Sequence, residues 1–344
     1  MILRFCSLNE SVIASTISEF LRPSYLVVVC SDAEDEKYIK FFEAENTKFV
    51  HEVRLPYQDF RPIHGIWIPE CQKLACAVSA GGHISLGWFN MQTGDLRQVR
   101  RMERHPGYYA VTYVPREGLI VLGTNSGLSL FDHESLAFAG SIGFAGPYYL
   151  GCVRVTSMLG AFMHDSLASC VVVGSALGGL YIANVEHRSI TRTISLPQLP
   201  VDGYAATNAL ENLALAPSGC HIAFSRDTHL YVVDLRTEYF VDHQYCVPHP
   251  PTCVTFVSNS RIAVSDGADI ITVDSSSGDL LQRCVLRSDY FPVRCLNLLH
   301  PELVMVACVE EEEQYDGCLY KIQTEPLLTV EYICAGNVHS MFIA

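Results

Sequence analysis

Residues 210–247 read LENLALAPSGCHIAFSRDTHLYVVDLRTEYFVDHQYCV. Short apolar runs are separated first by Pro-Ser-Gly, then by a turn holding Asp227, then by a turn that follows Asp234. Runs of this length, rich in Val, Leu, Tyr and Phe and bounded by Gly, Pro, Asp and Ser, are the signature of short strands joined by tight turns. The segment therefore predicts strand, turn, strand, turn, strand ending in Asp234, turn, strand. Residues 109–144, YAVTYVPREGLIVLGTNSGLSLFDHESLAFAGSIGF, follow the same order. Pro115 to Asp132 and Pro217 to Asp234 both span 17 positions, so the two inner hairpins match in length. Residues 252–286, TCVTFVSNSRIAVSDGADIITVDSSSGDLLQRCVL, supply a third copy with Asp274 at the equivalent point.

Weaker copies occupy the rest of the chain, which has 344 residues. The innermost strands start near 16, 64, 108, 150, 209, 252 and 293. The steps between them are about 41–59 residues, mostly near 43, the period of four-stranded propeller blades. The expected fold is all-β: one domain spanning 1–344, a seven-bladed β-propeller of four-stranded antiparallel blades. Blade limits fall near 12–55, 63–102, 108–144, 150–197, 209–247, 252–286 and 293–335. A single four-stranded unit cannot bury both of its faces, whereas radial packing lets each cover the next. Ring closure has two routes: Met1–Cys6 adds an outer strand to the last blade, or Val338–Ile343 pairs within the first. Glu10–Leu21 reads either as a helix or as a strand.

These repeats resemble the WD-repeat family, most closely in LAPSGCHIAFSRDTHLYVVDLRTE. TVDSSSGDL and LFDHES echo the same strand ending, with Asp274 and Asp132 in the Trp-Asp position. No copy carries the Trp-Asp dipeptide itself, and no Gly-His precedes an innermost strand. The resemblance implies a rigid, non-catalytic platform on which other macromolecules assemble, an analogy at the level of fold.

Composition narrows the function classes. Asp and Glu number 37 against 23 Lys and Arg, a net charge of −14, which disfavours direct nucleic-acid binding. The one basic stretch, RQVRRMER at 97–104, includes the outer strand of the second blade, where charge protects an exposed edge. Mean hydropathy is +0.20, yet the longest apolar runs, such as Tyr25–Cys30 and Cys170–Gly174, are strand-sized. No membrane span is expected. The opening MILRFCSLNES is too short in its apolar part for a secretion signal. Fourteen cysteines include no CxxC pair, so neither a zinc site nor a disulfide framework is expected. Most sit in apolar runs such as LACAV and VMVACV and read as reduced, packed thiols of an intracellular protein, cytoplasmic or nuclear.

Catalytic signatures are absent from the sequence: no GxSxG, GxxxxGK[ST], HExxH or DxDxDG occurs. No catalytic residue, cofactor or metal is assigned. GTNSG, SALGG and SAGG read as hairpin turns whose glycines supply positive φ. The 13 histidines are scattered along loops and strands.

The junctions between blades carry the candidate partner-binding residues. They contribute Tyr57, Phe60 and Arg61 (56–62), His105 and Tyr108 (104–109), Tyr148 and Tyr149 (145–149), Tyr204 (201–208), His249 (247–251), and Tyr290 and Phe291 (287–292). Tyr, Phe and Arg supply binding energy at interfaces, and proline pre-orders a loop; the same rings also serve to cap the apolar ends of blades. Glu310, Glu311, Glu312 and Glu313, in the hairpin between the second and third strands of the last blade, pair in position with Asp32, Glu34, Asp35 and Glu36 of the first. They form either a solvated surface or an acidic rim that steers a basic partner. Insertions at 159–168 and 197–208 enlarge the fourth blade, through function or neutral drift. The reading is a non-catalytic scaffold or adaptor subunit that binds protein partners in a multi-subunit complex. The competing reading is an enzyme or ligand-binding propeller, similar to the seven-bladed lactonases, with its site in the central channel.

Overall fold

The computed structural model describes residues 25–31, 37–43, 48–54, 61–68, 71, 73–80, 83–90, 96–101, 110–124, 127–144, 155–159, 167–175, 179–194, 196, 210–237, 245–247, 249–267, 269–285, 293–300, 303–308, 318–323, 329–335 and 337–343. Among them the chain is all-β, in seven antiparallel sheets of four strands each. The first sheet contains β1 (Tyr25–Ser31), β2 (Lys37–Glu43) and β3 (Phe49–Arg54). Next come β4 (Arg61–Ile68), β5 (Lys73–Ala80), β6 (His83–Asn90) and β7 (Leu96–Arg101). The third has β8 (Val111–Val114), β9 (Leu119–Thr124), β10 (Gly127–Asp132) and β11 (Phe138–Gly143). In the fourth are β12 (Val155–Leu159), β13 (Cys170–Ser175), β14 (Leu180–Asn184) and β15 (Ser189–Ile194). The fifth comprises β16 (Glu211–Leu215), β17 (His221–Arg226), β18 (His229–Asp234) and β19 (Tyr245–Cys246). The sixth comprises β20 (Val254–Ser258), β21 (Arg261–Asp266), β22 (Asp269–Asp274) and β23 (Leu280–Val285). The seventh holds β24 (Val293–His300), β25 (Leu303–Cys308), β26 (Cys318–Gln323) and β27 (Thr329–Ala335). Each is a meander in chain order except the first, whose fourth strand is β28 (Asn337–Ile343).

That exception corrects the expected first copy. Residues 16–23, expected to start it, lie outside the described residues. The place beside β1 is taken by β28, in a ladder running from Leu26 opposite Ile343 to Ser31 opposite Asn337. A strand has two ladder edges, and β1 spends its other one on β2. Val338–Ile343 pairs within the first sheet, as one of the two expectations had it; Met1–Cys6 and Glu10–Leu21 lie outside the described residues.

Why the second and third strands of each unit are continuous apolar runs follows from period-two alternation. On β9, Ile120 and Leu122 pack with Ile68, Ala75 and Leu86 of the second sheet, while Val121 packs with Val171 and Val173 of the fourth. On β17, Ile222 and Phe224 join Val172 and Ile182, whereas Ala223 joins Val254 and Ile262. Successive side chains thus enter opposite layers, and a strand with a sheet on each face must be apolar at both parities. The first strands of the sheets also meet in series: β28 touches β4, β4 touches β8, β8 touches β12, β12 touches β16, β16 touches β20, β20 touches β24, and β24 touches β28.

The three aspartates singled out by the repeat each end a third strand and fold the turn after it. Asp132 Oδ1 accepts from the N–H and hydroxyl of Ser135 at 2.8 and 2.6 Å. Asp274 Oδ1 accepts from Ser276 N–H, Ser276 Oγ and Ser277 N–H at 2.8, 2.5 and 2.9 Å. Asp234 Oδ1 accepts from Arg236 N–H at 2.8 Å, and its Oδ2 takes the guanidinium at 2.7 Å. Asn184 does the same work in the fourth sheet, accepting from His187 N–H at 2.7 Å. These side-chain turns explain why an Asx residue closes the strand even without the tryptophan before it. Donation by the Arg236 side chain holds Asp234 at a pKa of about 2. The Ser276 hydroxyl, followed by the N–H groups of Ser277 and Ser276, does so for Asp274, also at about 2.

Positive φ occurs in GTNSG, at Gly127, and also in turns outside the glycine-rich pieces. Asp227 (φ 53) opens the loop between β17 and β18, and Gly267 (φ 63) opens that between β21 and β22. In GTNSG, Gly127 has φ 140 and is the first residue of β10; a Cβ there would run into the carbonyl oxygen of Ile142. Both its positive φ and the close approach of the outer strand require this glycine. The turn glycines of SALGG and SAGG lie outside the described residues except Gly179, which has no positive φ.

Six outer strands carry one extra residue relative to the third strand: Val50, Val99, Ala139, Thr191, Leu281 and Ile333. Bulges at this edge increase twist and interrupt the free ladder, which guards against edge-to-edge pairing. No helix among the described residues is long and apolar enough to cross a membrane.

Candidate functional site

The sixth sheet offers the best-defined polar constellation, and it begins with a junction residue. Val247 follows the last strand of the fifth sheet, its N–H donating to Thr228 O at 2.8 Å, and 248–253 lead into β20. This passage has no ladder of its own, so its backbone donors find side chains instead. Ser265 Oγ accepts from the N–H groups of Thr252 and Cys253 at 2.8 and 3.1 Å. Asp266 Oδ1 accepts from His249 N–H at 3.2 Å and from its ring Nδ1 at 2.9 Å. A carboxylate oxygen only accepts, so Nδ1 carries the proton and Nε2 is left as the outward-working atom.

Asp266 is buried, its side chain 2% exposed, and a charge in such a place requires compensation. Arg283, on the outer strand β23, reaches across the sheet to provide it: Nη2 donates to Asp266 Oδ2 at 2.7 Å. Its Nη1 donates to Asp269 Oδ2 at 3.0 Å, so one guanidinium joins both ends of the loop between β21 and β22. His249 stays largely exposed at 67%. The result is a fixed, solvent-facing imidazole on a buried carboxylate. It can exchange a hydrogen bond with a partner through Nε2, but no nucleophilic side chain is within bonding reach of that ring in the contacts described.

Neighbouring sheets are tied on the turns between first and second strands. Ser169 Oγ donates to Glu117 Oε1 at 2.6 Å, linking the fourth sheet to the third. Ser218 N–H donates to Asn259 Oδ1 at 2.8 Å, linking the fifth to the sixth.

Of the residues that sequence reasoning proposed, His249 is seen with its side chain. Arg61 belongs to β4 rather than to the junction, its backbone opposite Ser79. The apolar run HGIWIP starts the strand three residues too late, because pairing with β5, itself eight residues long, extends it. Tyr57, Phe60, His105, Tyr108, Tyr148, Tyr149, Tyr204, Tyr290, Phe291 and Glu310–Glu313 lie outside the described residues, as do 32–36, 160–166 and 197–208. Sequence reasoning missed Asp266, Asp269 and Arg283. The available signal was SDGAD at 265–269, an acidic pair flanking a glycine where two apolar strands must turn.

Among the described residues no group of three or more His, Cys, Asp or Glu is arranged to hold a metal ion. Free cysteines are buried at 170, 253 and 284, and half-buried at 71 and 220. Burial, with Asp269 nearby, pushes the Cys284 thiol up to about 11. No protein-family model matches the chain, and comparison with curated proteins finds no significant match.

Proposed function

We propose that the seven sheets are the blades of a closed propeller, similar to WD-repeat platforms, that serves as a non-catalytic scaffold for protein partners. The series of first-strand contacts supports closure, because it runs from β28 through every sheet and returns to β28. The second to sixth sheets pack face to face in succession, and loops held by a rigid scaffold are where binding concentrates.

The observation that carries the binding reading is the seat of His249 on Asp266. It sets a junction between sheets beside the hairpin joining second and third strands of the next sheet. From the sequence repeat, the aromatic junctions and the acidic segments 32–36 and 309–317 correspond to these two places in other units, and we propose that they share one face. A face of aromatic anchors with a negative rim would suit a protein partner with basic and apolar elements.

The test is affinity purification of the tagged full chain from its native cell at moderate salt, with mass spectrometry. Stoichiometric partners that are lost when Tyr57, Tyr108, Tyr149 and Tyr290 are changed to Ala are the expected result. A clean monomer, or partners indifferent to those changes, overturns the proposal.

A further inference from the structure

We propose that the outer strand β7 is a docking edge for a short acidic segment of a partner protein. Three of its six residues, LRQVRR, are arginines. No other outer strand among the described residues has more than one: FVHEVR, FAGSIG, SITRTI, YC, LLQRCV and TVEYICA. The one arginine of β23, Arg283, is already committed to Asp266 and Asp269. A concentration of one sign is conspicuous in a chain whose net charge is −14.

The fold groups these charges further. Arg97 lies opposite Trp88 and Arg100 opposite Leu86, with the register shift at Val99 between them. The extra residue brings positions 97 and 100 opposite β6 positions that are two apart. Arg101, opposite Ser85, ends the strand. Among the described residues β7 is outermost and pairs with β6 alone.

Edge arginines prevent pairing with a second copy of the same strand, since like charges oppose each other. The same feature selects a segment of opposite sign. Carboxylates fit best, because guanidinium and carboxylate match as paired donors and acceptors. A single-stranded nucleic acid is the poorer fit: β7 has no aromatic residue on which a base would stack. A long polyanion also extends past the local charge, beyond about 8 Å, into the field of an acidic protein. The inference needs only the sheet β4–β7 and stands whether or not the ring is closed or the junction face binds anything.

The experiment is fluorescence anisotropy on the full chain with a labelled ten-residue peptide of alternating Glu and Val, against a single-stranded RNA of ten nucleotides. Binding of the peptide, weaker as salt rises, is expected, with a loss of about tenfold or more in the variant R97E/R100E/R101E. The neutral variant R97Q/R100Q/R101Q, its fold checked by thermal melting, is expected to lose at least about threefold. No peptide binding, equal affinity in the neutral variant, or tighter binding of the RNA overturns the proposal.

Discussion

Asp266 and His249 lie 17 positions apart, and one oxygen of the aspartate receives both the backbone N–H and the ring Nδ1 of the histidine, at 3.2 and 2.9 Å. The carboxylate is buried while the ring is exposed, so the pair fixes an irregular junction to the regular sheet beneath it. Losing either partner has unequal consequences.

Asp266→Ala removes the acceptor of the His249 N–H and of Arg283 Nη2, while the half-exposed guanidinium keeps Asp269. Losing the carboxylate that ties the junction to the sheet is expected to cost about 1–3 kcal/mol. His249→Ala removes an exposed ring and costs about 1 kcal/mol or less. Urea unfolding of both variants checks this ordering. Equal losses would mean that the carboxylate is not the anchor.

Asp234 and Asp274 are held at about 2, below the ordinary 3.8. Their ionised forms are the ones bound in the folded turns, so their contribution is complete above the ordinary value. It is lost as pH falls from about 4 toward 2. Asp274→Asn keeps an acceptor for the turn, as Asn184 does natively, but does not titrate. Stability measured between pH 5 and pH 2, at about half-unit steps, is expected to fall less steeply in this variant than in the parent.

Gly127 and Gly143 face each other across β10 and β11 yet differ in tolerance. A Cβ at Gly127 meets the Ile142 carbonyl at a φ of 140, whereas one at Gly143 meets nothing within 4 Å. Gly127→Ala is expected to destabilise by more than about 1 kcal/mol, and Gly143→Ala to be neutral or slightly stabilising. Melting temperatures of the two variants decide the matter, and similar shifts would contradict the close approach of β11.

The Cys284 thiol, pushed up to about 11 by burial, is almost entirely protonated at neutral pH. Thiolate is the reacting species. Alkylation with iodoacetamide at pH 8, about three units below that value, followed by peptide mapping, is expected to leave Cys284 unmodified until the protein is unfolded. Early labelling of Cys284 in the folded protein would show that its layer opens.

Much of this architecture is local and therefore legible in the chain. The equal spacing from Pro115 to Asp132 and from Pro217 to Asp234 is a matter of strand length plus turn chemistry, and both hairpins form where it places them. Continuous apolar runs such as CVVVG and HIAFS announce strands buried on both faces, since alternation sends neighbours to opposite layers. The Asx turn after β10, β18 and β22 is likewise written within four residues.

What the tertiary structure alone decides are relationships between distant segments. Residues 337–343 and 25–31 are each adequate strands, and nothing in either names the other; their pairing depends on which edge is free after β1 has joined β2. Arg283 reads as an ordinary polar residue on an outer strand until the cross-strand geometry brings it to Asp266 and Asp269. The bulge at Val99 is equally invisible, because an extra residue is defined only against a partner strand. Periodicity and turn chemistry act within a dozen residues, so the sequence by itself determined the repeating unit. The pairing of distant strands and of charges is set by which surfaces remain after the units pack, and only the folded chain has those.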